Sequence, residues 1–228
     1  PILPPWILDV LHTPSQAAEW SARERRAGRS VGFVPTMGAL HDGHIALVDA
    51  ARARSGSVAV SIFVNPLQFN DKDDLDRYPR RPEEDLRLLK EAGCDMLLMP
   101  QAEDLFKDFT PTDHDLGGMD ALWEGASRPG HFQGVVNVVE RLFHYVRPDA
   151  AYFGEKDRQQ LAIIRNTAHK LRWPVAILRH STLRAADGLA LSSRNQRLSP
   201  EERKTAPALY RALQAVREEA FTSSPKKT

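Results

Sequence analysis

The chain has 228 residues, of which 42% are hydrophobic and 27% are charged, as in ordinary folded proteins, so a mainly disordered chain is excluded. Its 31 basic and 30 acidic residues leave a formal charge of +1, without the overall cationic excess typical of nucleic-acid-binding proteins. Cys94 is the single cysteine, and there is neither a signal-peptide pattern nor an apolar run of about 18 residues. We therefore expect a reduced, cytoplasmic protein that binds neither membranes nor nucleic acid, with Cys94 packed in the core.

The first half of the chain alternates predicted helices with short apolar strands. Thr13 is a suitable N-cap and Pro14 a suitable first residue for a helix that ends near Ala27, before Gly28. Apolar runs bounded by turn residues predict strands, and stretches of helical periodicity separate them. The predicted strands are 31–35, 58–64 and 94–99, and the helices between them are 44–54 and 83–92.

The second half resumes this alternation after a stretch predicted to be irregular, 101–128. Helices are predicted over 135–146 and 158–171, and strands over 150–153 and 175–178. Ser199 and Pro200 begin a last helix, and 222–228 is read as a polar tail. Strands that alternate with helices indicate an α/β fold with a parallel sheet flanked by helices, and ligands then bind at the carboxyl ends of the strands.

The segment PTMGALHDGH places His41 and His44 three residues apart, where a strand passes into a helix. Two imidazoles and the N–H groups of a helix start together suit the phosphates of a nucleotide. The Walker loop and the G-x-G-x-x-G fingerprint are both absent. Two incidental histidines in a turn are the plain alternative, and a zinc site is less favoured because no third ligand stands at a recognisable spacing.

Two further loops follow predicted strands. In NPLQF, the neutral amide of Gln68 could bind a hydroxyl or carboxylate, although an ordinary loop amide is the plainer interpretation. In GEKDRQQ, Lys156 could reach phosphate oxygens, Asp157 could hold Mg²⁺ or a ribose, and Gln160 could face the ligand. A surface pair of Lys156 and Asp157 is the alternative there.

Two later segments offer anion-binding groups. LSSRN provides two hydroxyls and a guanidinium just before a capped helix, which suits departing phosphates. Arg128, Gly130 and His131 in SRPGHF form another potential anion-binding turn, with helix capping or a salt bridge equally open.

Six segments, in order, resemble one enzyme family: PTMGALHDGH, SIFVNPLQF, DRYPR, EGASRPGHFQGV, AYFGEKDRQQL and ADGLALSSRN. Together they closely resemble the pantoate:β-alanine ligases, within the HxGH nucleotidyltransferase superfamily. The resemblance implies a Rossmann-like domain over 1–180, a smaller and here shortened C-terminal domain over 181–228, and a homodimer. It also implies that ATP, with Mg²⁺, joins (R)-pantoate to β-alanine through a pantoyl adenylate, releasing AMP and pyrophosphate.

The resemblance also implies roles for individual residues. Gln68 and Gln160 match pantoate-binding amides, and the metal ligands stay unassigned. The catalytic positions are His41, His44, Lys156, Ser192 and Arg194. The ATP-binding positions are Met37, His41, His44, Gly154, Lys156, Asp157, Ser192, Ser193 and Arg194.

The sequence departs from the family pattern at a few places. Asp42 replaces a commoner Glu, Leu67 replaces a commoner Thr, and relatives continue beyond the position of Thr228 with further strands.

Two alternative functions stay open. One is another HxGH adenylyltransferase, which the pairing of NPLQF with GEKDRQQ disfavours, and the other is a nucleotide-binding module without turnover.

Overall fold

The computed structural model describes residues 7–222, which form six strands and ten α-helices. The strands are β1 (Asp9–Leu11), β2 (Val31–Thr36), β3 (Ser57–Ile62), β4 (Met96–Leu98), β5 (Ala150–Gly154) and β6 (Ala176–His180). The helices are α1 (Pro14–Arg26), α2 (Asp42–Arg52), α3 (Lys72–Asp76), α4 (Pro82–Glu91), α5 (Ala102–Leu105), α6 (Trp123–Ser127), α7 (His131–Val146), α8 (Arg158–Lys170), α9 (Pro200–Thr205) and α10 (Ala208–Thr222).

The six strands form one parallel sheet in the order β1-β4-β3-β2-β5-β6. From β2 the chain builds outward through β3 and β4, and then β5 returns to the other side of β2. The strand order thus reverses between β2 and β5, which is where ligands bind in open parallel sheets. The predicted α/β class, with helices on a parallel sheet, is confirmed.

The core lies on both faces of the sheet because successive strand residues point to opposite sides. Phe33 and Phe153 belong to the cluster on the α7 side, where the rings of Phe33 and Phe143 meet edge to face with centroids 6.2 Å apart. Val34 and Tyr152 belong to the cluster on the α2 side. Cys94 is fully buried in this second cluster, as predicted.

The predicted strands and main helices are confirmed to within a few residues, except at the start of α7. That helix begins at His131 rather than at 135, because Gly130 adopts a left-handed conformation (φ 81°) that caps it. The last predicted helix is divided into α9 and α10 around Pro207, which has no N–H to continue the first one. Of the predicted polar tail, Thr222 ends α10 and 223–228 lie outside the described residues.

One short strand and three short α-helices were not predicted from the sequence. β1 has only three residues and pairs with β4 at the sheet edge, so its pattern is too short to detect. Two short helices, α5 and α6, lie in the stretch predicted to be irregular, and α3 lies in an acidic run.

No helix within 7–222 has the length and apolar composition needed to span a bilayer. The division into domains at residue 180 stays a prediction.

A buried carboxylate joins the start of the sheet to α1. Glu24 is 5% exposed, and it accepts hydrogen bonds from Arg29 Nε at 2.6 Å and from Ser57 Oγ at 2.6 Å. The bond from Arg29 is the main cause that lowers the pKa of Glu24 to about 2, against the opposing effect of burial. Ionised Glu24 therefore stabilises the folded state.

We expect Glu24→Gln to lower stability near neutral pH and to weaken its dependence on acid. Because the folded pKa of Glu24 is lowered, its contribution is present above the unfolded value near 4.5 and is lost as pH falls toward 2. The contribution is about 2 kcal/mol after allowance for the half-exposed arginine partner. Urea unfolding at pH 6 and pH 3 measures it, with Glu19→Gln on the exposed face of α1 as the control. Equal acid sensitivity in wild type and Glu24→Gln would contradict this role.

Candidate active site

The site residues predicted from the sequence line one pocket at the carboxyl edge of the sheet. All eleven are there: Met37, His41, His44, Gln68, Gly154, Lys156, Asp157, Gln160, Ser192, Ser193 and Arg194. The strand order explains most of this convergence. The histidines follow β2, Lys156 follows β5, and these are the neighbouring parallel strands between which the strand order reverses. Gln68 follows β3, on the other side of β2.

The two histidines cap helix α2 with their own side chains. His41 Nδ1 accepts a hydrogen bond from the Gly43 N–H at 3.1 Å, and His44 Nδ1 accepts one from the His41 N–H at 3.3 Å. A ring nitrogen that accepts a hydrogen bond carries no proton, so each neutral ring carries its proton on Nε2. The capping box thereby fixes the tautomer of both rings and leaves each Nε2–H as a donor.

Both histidines are held neutral by their surroundings. Burial, followed by the nearby His41 and Lys156, lowers the pKa of His44 to about 3. Burial and Lys156 also lower the pKa of His41. The ring centroids are 4.1 Å apart, so two protonated rings would repel each other strongly. At neutral pH the pair therefore offers two neutral N–H donors.

The glycine of the H-x-G-H motif is required by this arrangement. A Cβ on Gly43 would lie 2.9 Å from Cε1 of His41 and 3.0 Å from its Nδ1. Any larger residue would push the His41 ring off the helix end. The cap therefore favours glycine at position 43 of the motif.

Gln68 is held by a neighbour that sequence reasoning did not select. Asn65 is 1% exposed; its Nδ2 donates to Gln68 Oε1 at 3.1 Å and to the Gly134 carbonyl at 3.0 Å. Asn65 Oδ1 also accepts from the Leu67 N–H at 3.1 Å, so the turn is rigid. With Oε1 of Gln68 occupied, its Nε2 faces Met37 Sδ at 3.1 Å and keeps a second N–H for a ligand. An Asn that precedes Pro at a strand end was the available signal.

Residues after β5 supply mixed charges at the mouth of the pocket. Lys156 Nζ lies 2.8 Å from Asp157 Oδ1, which realises the plain alternative of a Lys-Asp pair beside the pocket. Both side chains are solvent-accessible, so a phosphate can compete for the ammonium. Gln160 follows in the first turn of α8 and is half-buried.

The LSSRN segment reaches the pocket from the C-terminal part of the chain. Ser192 Oγ accepts from the Arg194 N–H at 3.3 Å, which caps a short 3-10 turn. Ser193 is buried, and its hydroxyl donates to the Ala39 carbonyl at 3.0 Å. Arg194 lies 3.0 Å from Asp74 of α3. The guanidinium at this wall is therefore already paired with a carboxylate.

The turn before α7 supports Gln68 from behind. His131 Nδ1 lies 2.7 Å from the Gln68 carbonyl, and Arg128 donates to the same oxygen at 3.2 Å. Arg128 also pairs with Glu124 at 2.7 Å, so the salt-bridge alternative is present in this turn. All three side chains line the pocket. Burial lowers the pKa of His131, so this ring is also neutral at pH 7.

The fold and the pocket define a nucleotide-binding α/β enzyme with donors that suit phosphate and with buried amides. The sequence profile of the Pantoate-beta-alanine ligase family matches residues 9–228, and the chain belongs to this family. Pantothenate synthetase of Thermus thermophilus is 54% identical over 211 residues, 92% of this chain and 76% of that protein. Pantothenate synthetase of Pseudomonas fluorescens is 52% identical over 199 residues, 86% of this chain and 70% of that protein.

Solved structures agree with this assignment. The crystal structure of pantothenate synthetase from Thermus thermophilus matches with a TM-score of 0.89 and 50% identity, covering 95% of this chain and 77% of that one. The pantoate-beta-alanine ligase of Francisella tularensis, complexed with beta-gamma ATP and beta-alanine, matches with a TM-score of 0.86 and 35% identity. It covers 91% of this chain and 80% of the Francisella chain.

We expect His44 to stay neutral throughout the pH range in which most histidines titrate. Since its pKa is lowered to about 3, its ring should keep the Nε2–H tautomer from pH 8 to pH 5. Nitrogen-15 NMR of the ring, compared with the same protein in urea, measures the tautomer and the titration. Protonation of folded His44 near pH 6.5 would contradict the capping arrangement.

Proposed function

We propose that this chain catalyses the ATP-dependent condensation of (R)-pantoate with β-alanine, through a pantoyl adenylate, to give pantothenate, AMP and pyrophosphate. Family membership over residues 9–228 supports the reaction. The observation that carries the proposal is the pocket itself: two neutral imidazole N–H donors beside a held amide and a serine-arginine turn. These groups match a reaction that joins a hydroxy acid to a nucleotide.

Pantoate is a hydroxy acid with two methyl groups, and one wall of the pocket suits both parts. Phe63 and the α7 side chains Val135, Val139 and Leu142 form an apolar surface for the methyl groups. Gln68 and Gln160 offer amide groups for the hydroxyls and the carboxylate. Neutral amides hold the carboxylate without forming a tight ion pair that would reduce its nucleophilicity. The substrate thus stays reactive while it is oriented.

In the first step, a pantoate carboxylate oxygen attacks the α-phosphorus of ATP and the bond to pyrophosphate breaks. Negative charge grows on the nonbridging oxygens and on the departing pyrophosphate. In this proposal the Nε2–H groups of His41 and His44 stabilise this charge, together with Lys156, Ser192 and Arg194, and their common place in the pocket lining supports it. Because the α2 cap holds the two imidazole rings before the reaction, little reorganisation of these two donors is needed. No covalent attachment to the protein is required.

In the second step, the amine of β-alanine attacks the acyl carbon of the adenylate, the bond to AMP breaks, and the nitrogen loses a proton. This step depends mainly on holding the two reactants together and on excluding water from the mixed anhydride. Gln68 is 8% exposed and lies in the pocket lining beside the apolar residues of α7. We place the reacting acyl group there.

Mg²⁺ fits the proposed site as a companion of ATP. Within 7–222 no three His, Cys, Asp or Glu side chains are grouped so that they could hold an ion alone. Mg²⁺ usually needs only one or two carboxylates beside the substrate phosphates and water, and Asp157 at the pocket mouth is such a group. Bound there, the ion would neutralise phosphate charge.

We also propose, from the family resemblance, a cytoplasmic homodimer with a smaller C-terminal domain.

We expect purified protein to turn ATP over continuously to AMP and pyrophosphate only when both pantoate and β-alanine are present, with one pantothenate for each AMP. Attack at the α-phosphorus requires these products, whereas an acyl-phosphate mechanism would release ADP and phosphate. Chromatography of the nucleotide products distinguishes them. ADP as the product would contradict the adenylate mechanism, and ATP binding without any turnover would support a binding module instead.

We expect Gln68→Ala and Gln160→Ala to impair the use of pantoate more than that of ATP. Loss of a buried amide that binds a substrate hydroxyl or carboxylate should reduce kcat/KM for pantoate by about 10²-fold or more. The KM for ATP should change by less than about threefold because the amides do not serve the phosphates. Gln101→Ala, at an exposed glutamine outside the pocket, is the control. Equal losses for both substrates would overturn the assignment.

A further inference from the structure

The turn that precedes the histidine pair has an unusual backbone. Gly38 (φ 82°) and Ala39 (φ 48°) are consecutive residues in the left-handed region. Alanine rarely adopts this conformation, since its Cβ approaches the following carbonyl, and it persists only when the surroundings hold it in place. His41 lies two residues after Ala39. The conformation of this turn therefore determines where the capping box begins.

Asp85, in the first turn of α4, holds this turn from its amide side. Its Oδ2 accepts from the Ala39 N–H at 2.9 Å and its Oδ1 accepts from the Leu40 N–H at 2.7 Å. Successive N–H groups of such turns form a concavity that binds anions. Here the anion is the protein's own carboxylate, which is 1% exposed. These two N–H groups are consequently not free to bind a substrate phosphate.

The packing leaves little freedom at this point. A Cβ on Gly38 would lie 3.0 Å from Asp85 Oδ2 and 2.9 Å from Cγ2 of Ile62. On the carbonyl side, the buried Ser193 hydroxyl donates to the Ala39 oxygen at 3.0 Å. Asp85 and Ser193, from distant parts of the chain, thus bind opposite ends of the same strained residue.

We propose that Asp85 is a positioning residue for the reaction: together with Ser193 it clamps the 38–40 turn and so fixes His41 and His44 in the orientation that presents their Nε2–H donors. The inference rests on the proposed function for its kinetic consequence, whereas its structural consequence is measurable without substrate. The hydrogen bonds of the Asp85 carboxylate go to the backbone N–H groups of Ala39 and Leu40 and not to the histidines, so it acts through the backbone. Ser193 thereby has a role besides the phosphate contact that the family resemblance implies.

The test compares Asp85→Asn with Asp95→Asn. Asparagine has one acceptor oxygen, so at position 85 one of the two N–H groups would face an NH₂ donor. Asp95 is a half-buried carboxylate that accepts a single backbone bond, from the Val58 N–H at 2.7 Å, outside the pocket. Both variants lose stability, but only Asp85→Asn should disturb the histidines.

We expect Asp85→Asn to lower kcat by about 10²-fold while the KM values for ATP and pantoate change less than about threefold. The reason is that a small displacement of the two imidazole donors disrupts their orientation in the reaction more than it weakens substrate binding. In substrate-free protein, nitrogen-15 NMR should show Nδ1–H tautomer at His41 or His44. Asp95→Asn should retain wild-type kcat and ring tautomers. A folded Asp85→Asn protein with wild-type tautomers and kcat would overturn the proposal.

Two further outcomes are covered by the same design. If Asp85→Asn does not fold, Ser193→Ala removes the other half of the clamp; a mixed His41 tautomer then supports the proposal and an unchanged one overturns it. If the wild-type protein has no activity with these substrates, the proposed function fails. The tautomer comparison still decides whether the clamp positions the histidines.

Discussion

The start of helix α2 is the constraint on which the site depends. A helix begins with backbone N–H groups that need acceptors, and here His41 and His44 provide them with their Nδ1 atoms. The same two bonds place the remaining protons on Nε2. Satisfying the helix end and preparing the donors are therefore one structural event, and Gly43 is the residue whose small size permits it.

The rest of the fold brings substrate groups to these donors. The reversal of strand order between β2 and β5 places Lys156 opposite the histidines, and β3 delivers Gln68 from the other neighbouring position. Apolar side chains of α7 line the wall beside Gln68, while Ser192 and Arg194 close the phosphate side. The pairing of Arg194 with Asp74 and of Lys156 with Asp157 lowers the cost of holding cations together before phosphate binds.

Sequence reasoning recovered the parts of the structure that depend on local pattern. The alternation of apolar strands with capped helices was enough to predict the parallel sheet, and the H-x-G-H spacing was enough to indicate paired imidazoles. It did not find β1, whose three residues carry no pattern, nor the early start of α7, which a left-handed Gly130 sets. The order of the motifs was enough to identify eleven residues that line one pocket, and their individual roles are proposals.

Contacts between segments that are distant in the chain could not be predicted from the sequence. Asn65 holds Gln68 against the backbone of α7, where Gly134 leaves room for the Leu67 carbonyl: a Cβ there would lie 2.1 Å from that oxygen. Asp85 lies 45 residues from the Leu40 amide that it binds. Such bonds depend on how elements pack, and Asp85, next to Glu83 and Glu84 at the start of α4, looks in the sequence like ordinary dipole compensation.

In the proposed mechanism, the Nε2–H donor of His44 serves the reaction while its Nδ1 serves the helix. His44→Asn separates the two, since the asparagine oxygen can replace Nδ1 in the cap but nothing replaces Nε2. The measurement is exchange of labelled pyrophosphate into ATP with pantoate present and β-alanine absent. We expect rapid exchange in the wild type and, in a His44→Asn protein of near-native stability, a rate lower by about 10²- to 10³-fold. Undiminished exchange in His44→Asn would contradict this mechanism.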